Sequence, residues 1–266
     1  MFQKTWSYWE REFFPQKSDL IIVGAGFTGL SAAIHAALKF PNWRIQVLER
    51  GIEAEGASSK NAGFGCYGTI GEILSDIKLM GANEALALVS QRLEGLAFLR
   101  DLVEVEHMDW QNHGGTEVYL KGEEEAWQES LNALNEINQS LGNLSLGKTL
   151  FKECAIPANL KTGIGAIYSP LESQLHPAKA LHVLQSKAQE LGVKILKGVE
   201  VFDHHQDQAW RLETTAGNWI CDRLLYCTNA FGMPGEDLDI VPARNQVLIS
   251  KVFDHGLPQG NYHAQE

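Results

Sequence analysis

The most constraining feature of the sequence is a glycine-rich turn near its start. Residues 20–23 form a short apolar run without polar alternation, which predicts a parallel strand covered on both faces. Gly24, Gly26 and Gly29 follow in GxGxxG spacing, and residues 30–38 continue with apolar side chains at helical spacing. In such a turn the first glycine permits the tight bend, the second lets the backbone approach a pyrophosphate, and the third lets helix and strand pack closely. The segment therefore predicts a βαβ unit that binds a dinucleotide at a helix N-terminus.

An acidic residue at the end of the next predicted strand narrows the choice of dinucleotide. Residues 45–48 predict a second strand, and Glu49 closes it about twenty residues after Gly29. From that position a carboxylate accepts hydrogen bonds from a ribose 2′-hydroxyl and would repel a 2′-phosphate, which favours FAD or NAD over NADP. The alternative, a βαβ crossover without a ligand, leaves the three glycines unexplained.

Composition and charge exclude several other classes of protein. The chain has 266 residues, 44% of them hydrophobic and 21% charged, which is ordinary for a globular enzyme. Its net charge of −11 argues against binding to nucleic acid or to an anionic membrane surface. Residues 1–17 lack the apolar core of a signal peptide, and residues 20–38 are too rich in glycine and polar groups for a membrane span. We therefore expect a cytoplasmic protein.

Cysteine and histidine patterns give no sign of a metal or disulfide framework. The four cysteines are scattered without a CxxC pair, which favours reduced thiols. The nine histidines lack metal-ligand spacing, so no metal site is expected. No residue pattern identifies a catalytic group, and the absence of a GxSxG elbow removes support for hydrolase chemistry.

The order of predicted elements indicates two interleaved domains. Two segments with apolar side chains on one helical face, near residues 86–103 and 127–141, flank a short alternating strand at residues 116–120. The α/β pattern resumes near residue 176 with a helix and several short strands, among them a hairpin of residues 210–214 and 219–221 and a separate buried strand at residues 224–228. The fold class is therefore α/β, with a discontinuous Rossmann-like domain of the FAD/NAD(P)-binding type and an inserted α+β domain.

A loop of small and polar residues downstream of Glu49 and Arg50 carries a resemblance to a known family. Residues 56–65 read Gly-Ala-Ser-Ser-Lys-Asn-Ala-Gly-Phe-Gly. This loop resembles the flavin-binding loop of the FAD-dependent oxidoreductases related to D-amino-acid oxidase, a family that includes glycine oxidase and sarcosine oxidase. Together with residues 7–9, the loop is most similar to the γ-glutamylputrescine-oxidase-like branch.

Further matches extend the resemblance over nearly the whole chain. Residues 198–201 lie where the family uses a strand backbone to hold the adenine, and residues 227–230 resemble its loop near the flavin phosphates. Residues 241–247 resemble a Pro-x-Arg-Gly-Gln segment, with Asn245 in place of the usual glycine. The candidate cofactor-binding residues are Gly24, Gly26, Phe27, Thr28, Gly29, Glu49, Arg50, Ser58, Ser59, Lys60, Asn61, Ala62, Gly63, Val201, Thr228, Asn229 and Ala230.

The resemblance implies domain bounds and a cofactor. It predicts an FAD-binding domain of residues 1–80 and 155–240, and a substrate domain of residues 81–154 and 241–266. Family members continue beyond the Pro-x-Arg segment, so the sequence also predicts a truncated fragment whose partner is the missing C-terminal segment or another subunit.

The implied reaction is oxidation of the C–N bond of an amine or amino acid by hydride transfer to the flavin N5, followed by hydrolysis of the imine. Lys60 is either a positive charge near the flavin ring or a solvent-facing loop residue, and Phe64 and Tyr67 either line a substrate pocket or simply pack. Two other functions stay open: an NAD-dependent dehydrogenase, and a non-catalytic module that binds a dinucleotide or a partner chain.

Overall fold

The computed structural model describes residues 6–142, 149–157, 162–235, 239–241, 243, 246–251 and 258–264. Its α-helices are α1 (Tyr8–Phe13), α2 (Phe27–Lys39), α3 (Ile70–Met80), α4 (Ala82–Leu102), α5 (Glu124–Ser140) and α6 (Pro177–Glu190). Its strands are β1 (Lys17–Val23), β2 (Ile45–Glu49), β3 (Phe64–Gly65), β4 (Gly115–Leu120), β5 (Lys152–Glu153), β6 (Gly163–Ser169), β7 (Ser173–Gln174), β8 (Lys194–Lys197), β9 (Val201–Gln206), β10 (Trp210–Thr214), β11 (Gly217–Tyr226) and β12 (Asn261–Ala264). In the described part of the chain, no helix combines the length and apolar character needed to cross a lipid bilayer.

The chain divides into two compact units, each built from two stretches of sequence. The first unit comprises Met1–Ala62 and Pro177–Leu248, and the second comprises Gly63–His176 and Ile249–Glu266. These bounds differ from the domain bounds expected from the sequence, because residues 63–80 and 155–176 belong to the second unit and residues 241–248 belong to the first. The reason is pairing and packing: β3 pairs with β7, and α3 packs against α4 and α5.

The first unit is organised around a six-stranded sheet in the order β8-β2-β1-β11-β10-β9. Strands β8, β2, β1 and β11 are parallel, β10 pairs antiparallel with β11, and β9 pairs antiparallel with β10 at the edge of the sheet. The apolar run at the end of β1 is buried, and α2 packs against β1, β2 and α6, as the sequence pattern predicts. Strand β11 is continuous over residues 217–226, so the prediction of two separate strands in this stretch is wrong. The whole of β11 pairs with either β10 or β1, which holds it extended.

The second unit contains a mixed sheet in the order β12-β4-β6-β5 and the helices α3, α4 and α5. The two predicted helical segments of the middle region are confirmed as α4 and α5. Tyr67, Tyr119, Phe151 and Ile167 are buried in its core, and Trp127 lies directly over Gly165, where a Cβ atom would approach the indole to 2.4 Å. Tyr67 is fully buried and donates a hydrogen bond to the Leu150 carbonyl at 3.1 Å, which makes it a core residue.

Candidate cofactor-binding site

A cleft of about 890 Å³ opens in the first unit at the carboxyl ends of its parallel strands. In open α/β sheets, ligands bind outside the carboxyl ends of the strands, where the chain leaves them in different directions. Four segments of the chain line the cleft: the end of β1 and the turn after it, the end of β2 and the loop after it, the start of β9, and the end of β11 with the turn after it. From the first two segments the lining residues are Val23, Gly24, Gly26, Thr28, Leu48, Glu49, Arg50, Gly51, Ala54, Glu55, Gly56, Ala57, Ser58 and Lys60. From the last two they are Val199, Glu200, Val201, Phe202, Tyr226, Cys227, Thr228, Asn229, Phe231, Gly232, Met233 and Pro234.

The glycine turn after β1 has the conformation and the close approaches that only glycine allows. Gly24 has a φ angle of +104°, and a Cβ atom on it would lie 2.6 Å from the Cys227 carbonyl oxygen. A Cβ atom on Gly29 would lie 1.9 Å from the Gly24 carbonyl oxygen. The first glycine therefore lets β1 and the end of β11 converge, and Gly29 lets α2 start directly against the turn.

The N-terminus of α2 lies at the cleft, with hydrogen-bond donors that the helix itself does not use. Gly26 is the N-cap residue and supplies no side chain, and the N–H groups of the first helical turn have no acceptor within the helix. Phe27 donates its N–H to Ser58 Oγ at 3.0 Å, and a Cβ atom on Gly26 would lie 2.8 Å from the same oxygen. This arrangement suits an anion, because the helix dipole and free N–H groups both favour negative charge.

Glu49 has a structural role that the sequence did not reveal. Its Oε2 accepts the Ala25 N–H at 2.8 Å, and its Oε1 accepts the Gly51 N–H at 2.9 Å. The carboxylate thus joins the glycine turn to the end of β2, while its position on the cleft keeps the remaining lone pairs available to a ligand hydroxyl. In the sequence, the only sign of this backbone-binding role is that Glu49 ends the strand predicted to lie beside the glycine turn.

Arg50, the next residue, contacts two cleft residues from distant parts of the chain. Its Cζ lies 4.7 Å from the centre of the Phe231 ring, and its Nη1 lies 3.9 Å from Glu200 Oε1. Phe231 is 69% exposed, although it lines the cleft. Phe231 was not among the predicted binding residues, which end at Ala230, and its signal in the sequence was its position directly after the predicted loop.

The loop after β2 is held together by its own polar side chains. Residues Ala57–Ser59 form a 3-10 turn, Ser59 Oγ donates to the Ala54 carbonyl at 2.9 Å, and Asn61 Nδ2 donates to the Ser58 carbonyl at 2.9 Å. Lys60 Nζ donates to the Glu55 carbonyl at 2.5 Å, so the ammonium group is engaged within the loop. These bonds give the loop a defined shape beside the glycine turn.

The predicted binding residues fall into two groups. Gly24, Gly26, Thr28, Glu49, Arg50, Ser58, Lys60, Val201, Thr228 and Asn229 line the cleft. Phe27, Gly29, Ser59, Asn61, Ala62 and Ala230 belong to the same unit without lining the cleft, and Gly63 belongs to the second unit, where its carbonyl accepts the Leu175 N–H at 2.8 Å. In the Pro-x-Arg segment, Pro242, Arg244 and Asn245 lie outside the described residues.

The turn after β11 completes the cleft. Thr228 Oγ1 donates to the Gly232 carbonyl at 2.5 Å, and Asn229 has a φ angle of +50° in the left-handed region. Asparagine tolerates this conformation better than most residues with side chains. The turn brings Thr228, Asn229 and Phe231 together on the cleft.

The second unit holds a separate buried polar cluster. The Glu172 side chain is fully buried, its Oε2 lies 2.9 Å from His263 Nε2, and it accepts a hydrogen bond from Asn261 Nδ2 at 3.0 Å. Burial lowers the pKa of His263, but the hydrogen bond to Glu172 and the charges of Glu172, Glu72 and Glu117 outweigh it and raise the pKa above its usual value.

Burial also raises the pKa of two other groups in the second unit, Cys66 and Glu117. Burial and the nearby charges of Glu172 and Glu72 raise the pKa of the Cys66 thiol to about 11, so Cys66 stays protonated at neutral pH. Burial raises the pKa of Glu117, which accepts a hydrogen bond from Thr69 Oγ1 at 3.0 Å. In the part of the chain that the structure describes, Oε1 of Glu172 has no hydrogen-bond partner.

The geometry of the cleft defines a class of protein. A parallel sheet, a turn whose glycines leave no room for Cβ atoms, a helix N-terminus and an acid at the end of β2 together make a Rossmann-like dinucleotide-binding unit. The residues present fit an FAD molecule, because the turn and the helix suit its pyrophosphate and Glu49 reaches the cleft.

Comparison with known proteins identifies the family. The family model described as "FAD dependent oxidoreductase" (DAO) matches residues 19–264, and the chain belongs to this family, whose cofactor is FAD. The chain is 25% identical over 232 residues to a probable oxidoreductase, OrdL, of Haemophilus influenzae, an alignment that covers 85% of this chain and 51% of that protein.

Solved structures share the fold. Glycine oxidase from Geobacillus kaustophilus is 21% identical with a TM-score of 0.58, covering 81% of this chain and 56% of the enzyme. L-amino acid deaminase from Proteus vulgaris is 17% identical with a TM-score of 0.63, covering 87% of this chain and 50% of the deaminase. The chain therefore spans about half the length of these relatives.

Proposed function

We propose that this chain binds FAD in the cleft of its first unit and belongs to an oxidoreductase that oxidises the C–N bond of an amine or amino acid. The observation that carries the proposal is the convergence of the glycine turn, the N-terminus of α2 and Glu49 on one cleft. The family match supports FAD over NAD, which makes an NAD-dependent dehydrogenase or a non-catalytic module the less favoured function.

The side chains and backbone of the first unit would hold the cofactor in three ways. The N–H groups at the start of α2 would bind the pyrophosphate, Glu49 would accept ribose hydroxyls, and the backbone near Val201 would face the adenine. The surrounding turns would be shaped by the remaining candidate residues of this unit: Phe27, Thr28, Ser58, Ser59, Lys60, Asn61, Ala62, Thr228, Asn229 and Ala230.

Bound FAD would supply the electron acceptor: a hydride would leave the carbon next to the amine for the flavin, the nitrogen would lose a proton, and water would hydrolyse the resulting imine to a carbonyl compound and an amine or ammonia. Dioxygen or another acceptor then takes the two electrons. The names of glycine oxidase and L-amino acid deaminase motivate amino acids as the substrate class, with other amines as the wider group.

The test begins with flavin binding. The purified chain is incubated with FAD, freed of unbound cofactor and examined by visible absorption, with NAD binding measured separately by calorimetry. We expect flavin bands that follow the protein through gel filtration. A chain that binds NAD and no flavin would overturn the proposal in favour of a nicotinamide-dependent enzyme.

The reaction is tested on the flavin-loaded chain with a panel of amino acids and amines. Hydrogen peroxide is measured in one arm, and reduction of an artificial electron acceptor in the other, because a dehydrogenase would not use dioxygen. Flavin binding without substrate-dependent reduction in either arm would contradict the catalytic part of the proposal and favour a binding module.

A further inference from the structure

The polar cluster of the second unit reaches solvent on one side, through the ring of His263. Nε2 of this ring lies 2.9 Å from Oε2 of the fully buried Glu172, and Asn261 Nδ2 donates to the same oxygen at 3.0 Å. The other ring nitrogen, Nδ1, makes no hydrogen bond within the described residues, and it is not one of their buried unpaired atoms. The side chain is 17% exposed, so Nδ1 is the atom that the cluster leaves open to solvent.

Glu172 decides which nitrogen of His263 carries the proton. An ionised carboxylate only accepts hydrogen bonds, so the neutral imidazole donates its Nε2–H to Glu172. Nδ1 then keeps a free lone pair on the solvent side. A carboxylate that orients an imidazole in this way is the arrangement in which histidine accepts protons in enzymes.

The charges around His263 favour a cation over an anion as its partner. The titratable and charged groups of this region are Glu172, Glu72 in the first turn of α3, Glu117 in β4, Cys66, and Arg92 in α4. The charges of the three glutamates all act to keep a proton on His263, and Cys66 stays protonated and adds no charge at neutral pH. A positively charged group next to neutral His263 is attracted by the same field.

An exposed aromatic ring and two unpaired acceptors add to this preference. Phe64 is 43% exposed, and its ring centre lies 5.7 Å from that of His263 at an interplanar angle of 73°. Aromatic faces attract ammonium groups. Oε1 of Glu172 and Oδ1 of Asn261 are buried without a donor in the described part of the chain, so the cluster is short of N–H groups and positive charge. An ammonium group supplies both.

We propose that His263 Nδ1 binds the ammonium group of the substrate beside the Phe64 ring and accepts its proton, with Glu172 as the positioning residue. The N–H bond breaks, the proton passes to Nδ1, and the electron pair stays on the substrate nitrogen; His263 then returns the proton to solvent. Only a neutral amine can release hydride from the neighbouring carbon, because its lone pair forms the C=N bond. The inference rests on the proposed function and deepens it, because it names the residue that prepares the substrate.

Binding is tested on the full chain without flavin. The imidazole NMR signals of His263 are assigned by their loss in His263→Gln and followed above their own titration midpoint during addition of benzylamine, benzyl alcohol or benzoate. We expect a saturable shift with benzylamine alone. Phe64→Leu should weaken benzylamine binding by roughly 2- to 5-fold, the range of an exposed cation–π contact. No saturable shift with benzylamine, or an equal shift with benzoate, would overturn the ammonium site.

Proton transfer is tested by the pH dependence of kcat/KM for the flavin-loaded chain. We expect kcat/KM to rise through the pKa of His263 and then level off, because neutral His263 can use the abundant ammonium form. His263→Gln keeps a donor for Glu172 and should lower kcat/KM at neutral pH by roughly 100-fold or more, with a rise of about tenfold per pH unit up to the pKa of the amine. Glu172→Gln should move the midpoint of the profile to lower pH, which a purely structural role would not do.

His107→Gln is the matched control. His107 also lies beside a glutamate, with Nδ1 3.5 Å from Glu104 Oε2, but both side chains are exposed. We expect unchanged benzylamine binding and an unchanged pH profile. The same profile in His263→Gln as in the unsubstituted chain would overturn the proton transfer and leave the proposed function standing. Absence of turnover in the unsubstituted chain would overturn the proposed function, while the benzylamine titration would still decide the ammonium site.

Discussion

Glycines allow close approaches both at the cleft of the first unit and in the polar cluster of the second unit, but the groups that approach them differ. At the cleft, Gly24 and Gly29 make room for backbone, and the helix that follows begins with N–H donors that have no acceptor within the helix. In the cluster, Gly115 makes room for a side chain, since a Cβ atom there would lie 2.1 Å from Glu172 Oε2. The second unit thus encloses its own negative charge, and pairs it with His263.

The comparison shows why the cleft is suited to an anionic ligand and the buried Glu172 carboxylate to internal stability. Donors left open at a helix N-terminus gain when an anion arrives from outside. A buried carboxylate is already paired within the protein, and its cost of desolvation is offset only while its partner stays in place. Substitutions should therefore affect ligand binding at the cleft and folding stability at the cluster.

The largest effect is expected at the glycine turn. Gly29→Val places side-chain atoms against the Gly24 carbonyl, where no space exists, so we expect loss of FAD binding and a loss of at least about 3 kcal/mol in the free energy of unfolding. Urea denaturation and flavin absorption measure both effects. Gly95→Ala in α4, where a Cβ atom meets nothing within 4 Å, is the control and should not destabilise the chain. Equal stability of the two variants would contradict the packing of α2 against the turn.

The next effect tests the buried pair of the second unit. His263→Leu leaves the Glu172 carboxylate buried without its cationic partner, and we expect a loss of about 3 kcal/mol in unfolding free energy. Lys78→Ala breaks the exposed Lys78–Glu129 ion pair of the same unit, which joins Nζ and Oε2 at 2.8 Å, and should cost less than about 1 kcal/mol. Urea denaturation of both variants gives the difference. A cost as small for His263→Leu as for Lys78→Ala would show that the pair contributes little.

A smaller effect is expected where the cleft depends on a carboxylate. Glu49→Gln places an amide donor next to the N–H group of Ala25 or Gly51, so one backbone donor loses its acceptor. We expect the chain without FAD to lose about 1–3 kcal/mol of unfolding free energy, in addition to weaker FAD binding. Glu53→Gln, which alters an exposed ion pair with Lys197, is the control. If only FAD binding changed, the role of Glu49 in holding the turn would be refuted.

The smallest effect is the dependence of stability on pH. The pKa of His263 is raised in the folded protein, so its protonation stabilises the fold fully below the unfolded value of about 6.5, and this contribution is lost as pH rises through the folded pKa. Urea denaturation from about pH 5 to about pH 9 should show a decline of at most about 1.4 kcal/mol per pH unit from this group. The decline should be smaller in His263→Leu. An identical pH profile in that variant would exclude His263 as the titrating group.

Local patterns predicted the strands, the turn and the helix that surround the first unit's cleft. The strand of residues 20–23, the glycine turn and the acid at residue 49 lie close together in the sequence, and each is recognised by residue types that its backbone geometry demands. Helices α4 and α5 were also predictable, because their apolar faces repeat at helical spacing. The continuous strand β11 was missed, because its register is set by pairing with β1 and β10 and its own residues alternate irregularly between buried and exposed.

Contacts between distant residues could not be predicted in the same way. Arg50 meets Phe231 only because β2 and β11 lie on either side of β1, and Glu172 meets His263 only because β12 pairs with β4. Neither pair has a spacing that local sequence reasoning can detect.

The amino-acid order alone was enough to define a dinucleotide-binding turn and its family, because such a turn needs glycines and an acid at short, fixed separations. The use of Glu49 as a backbone anchor, the Arg50–Phe231 contact and the burial of Glu172 against His263 depend instead on which strands become neighbours. Strand order is set by packing of the whole sheet, so these side-chain partners exist only in the folded chain.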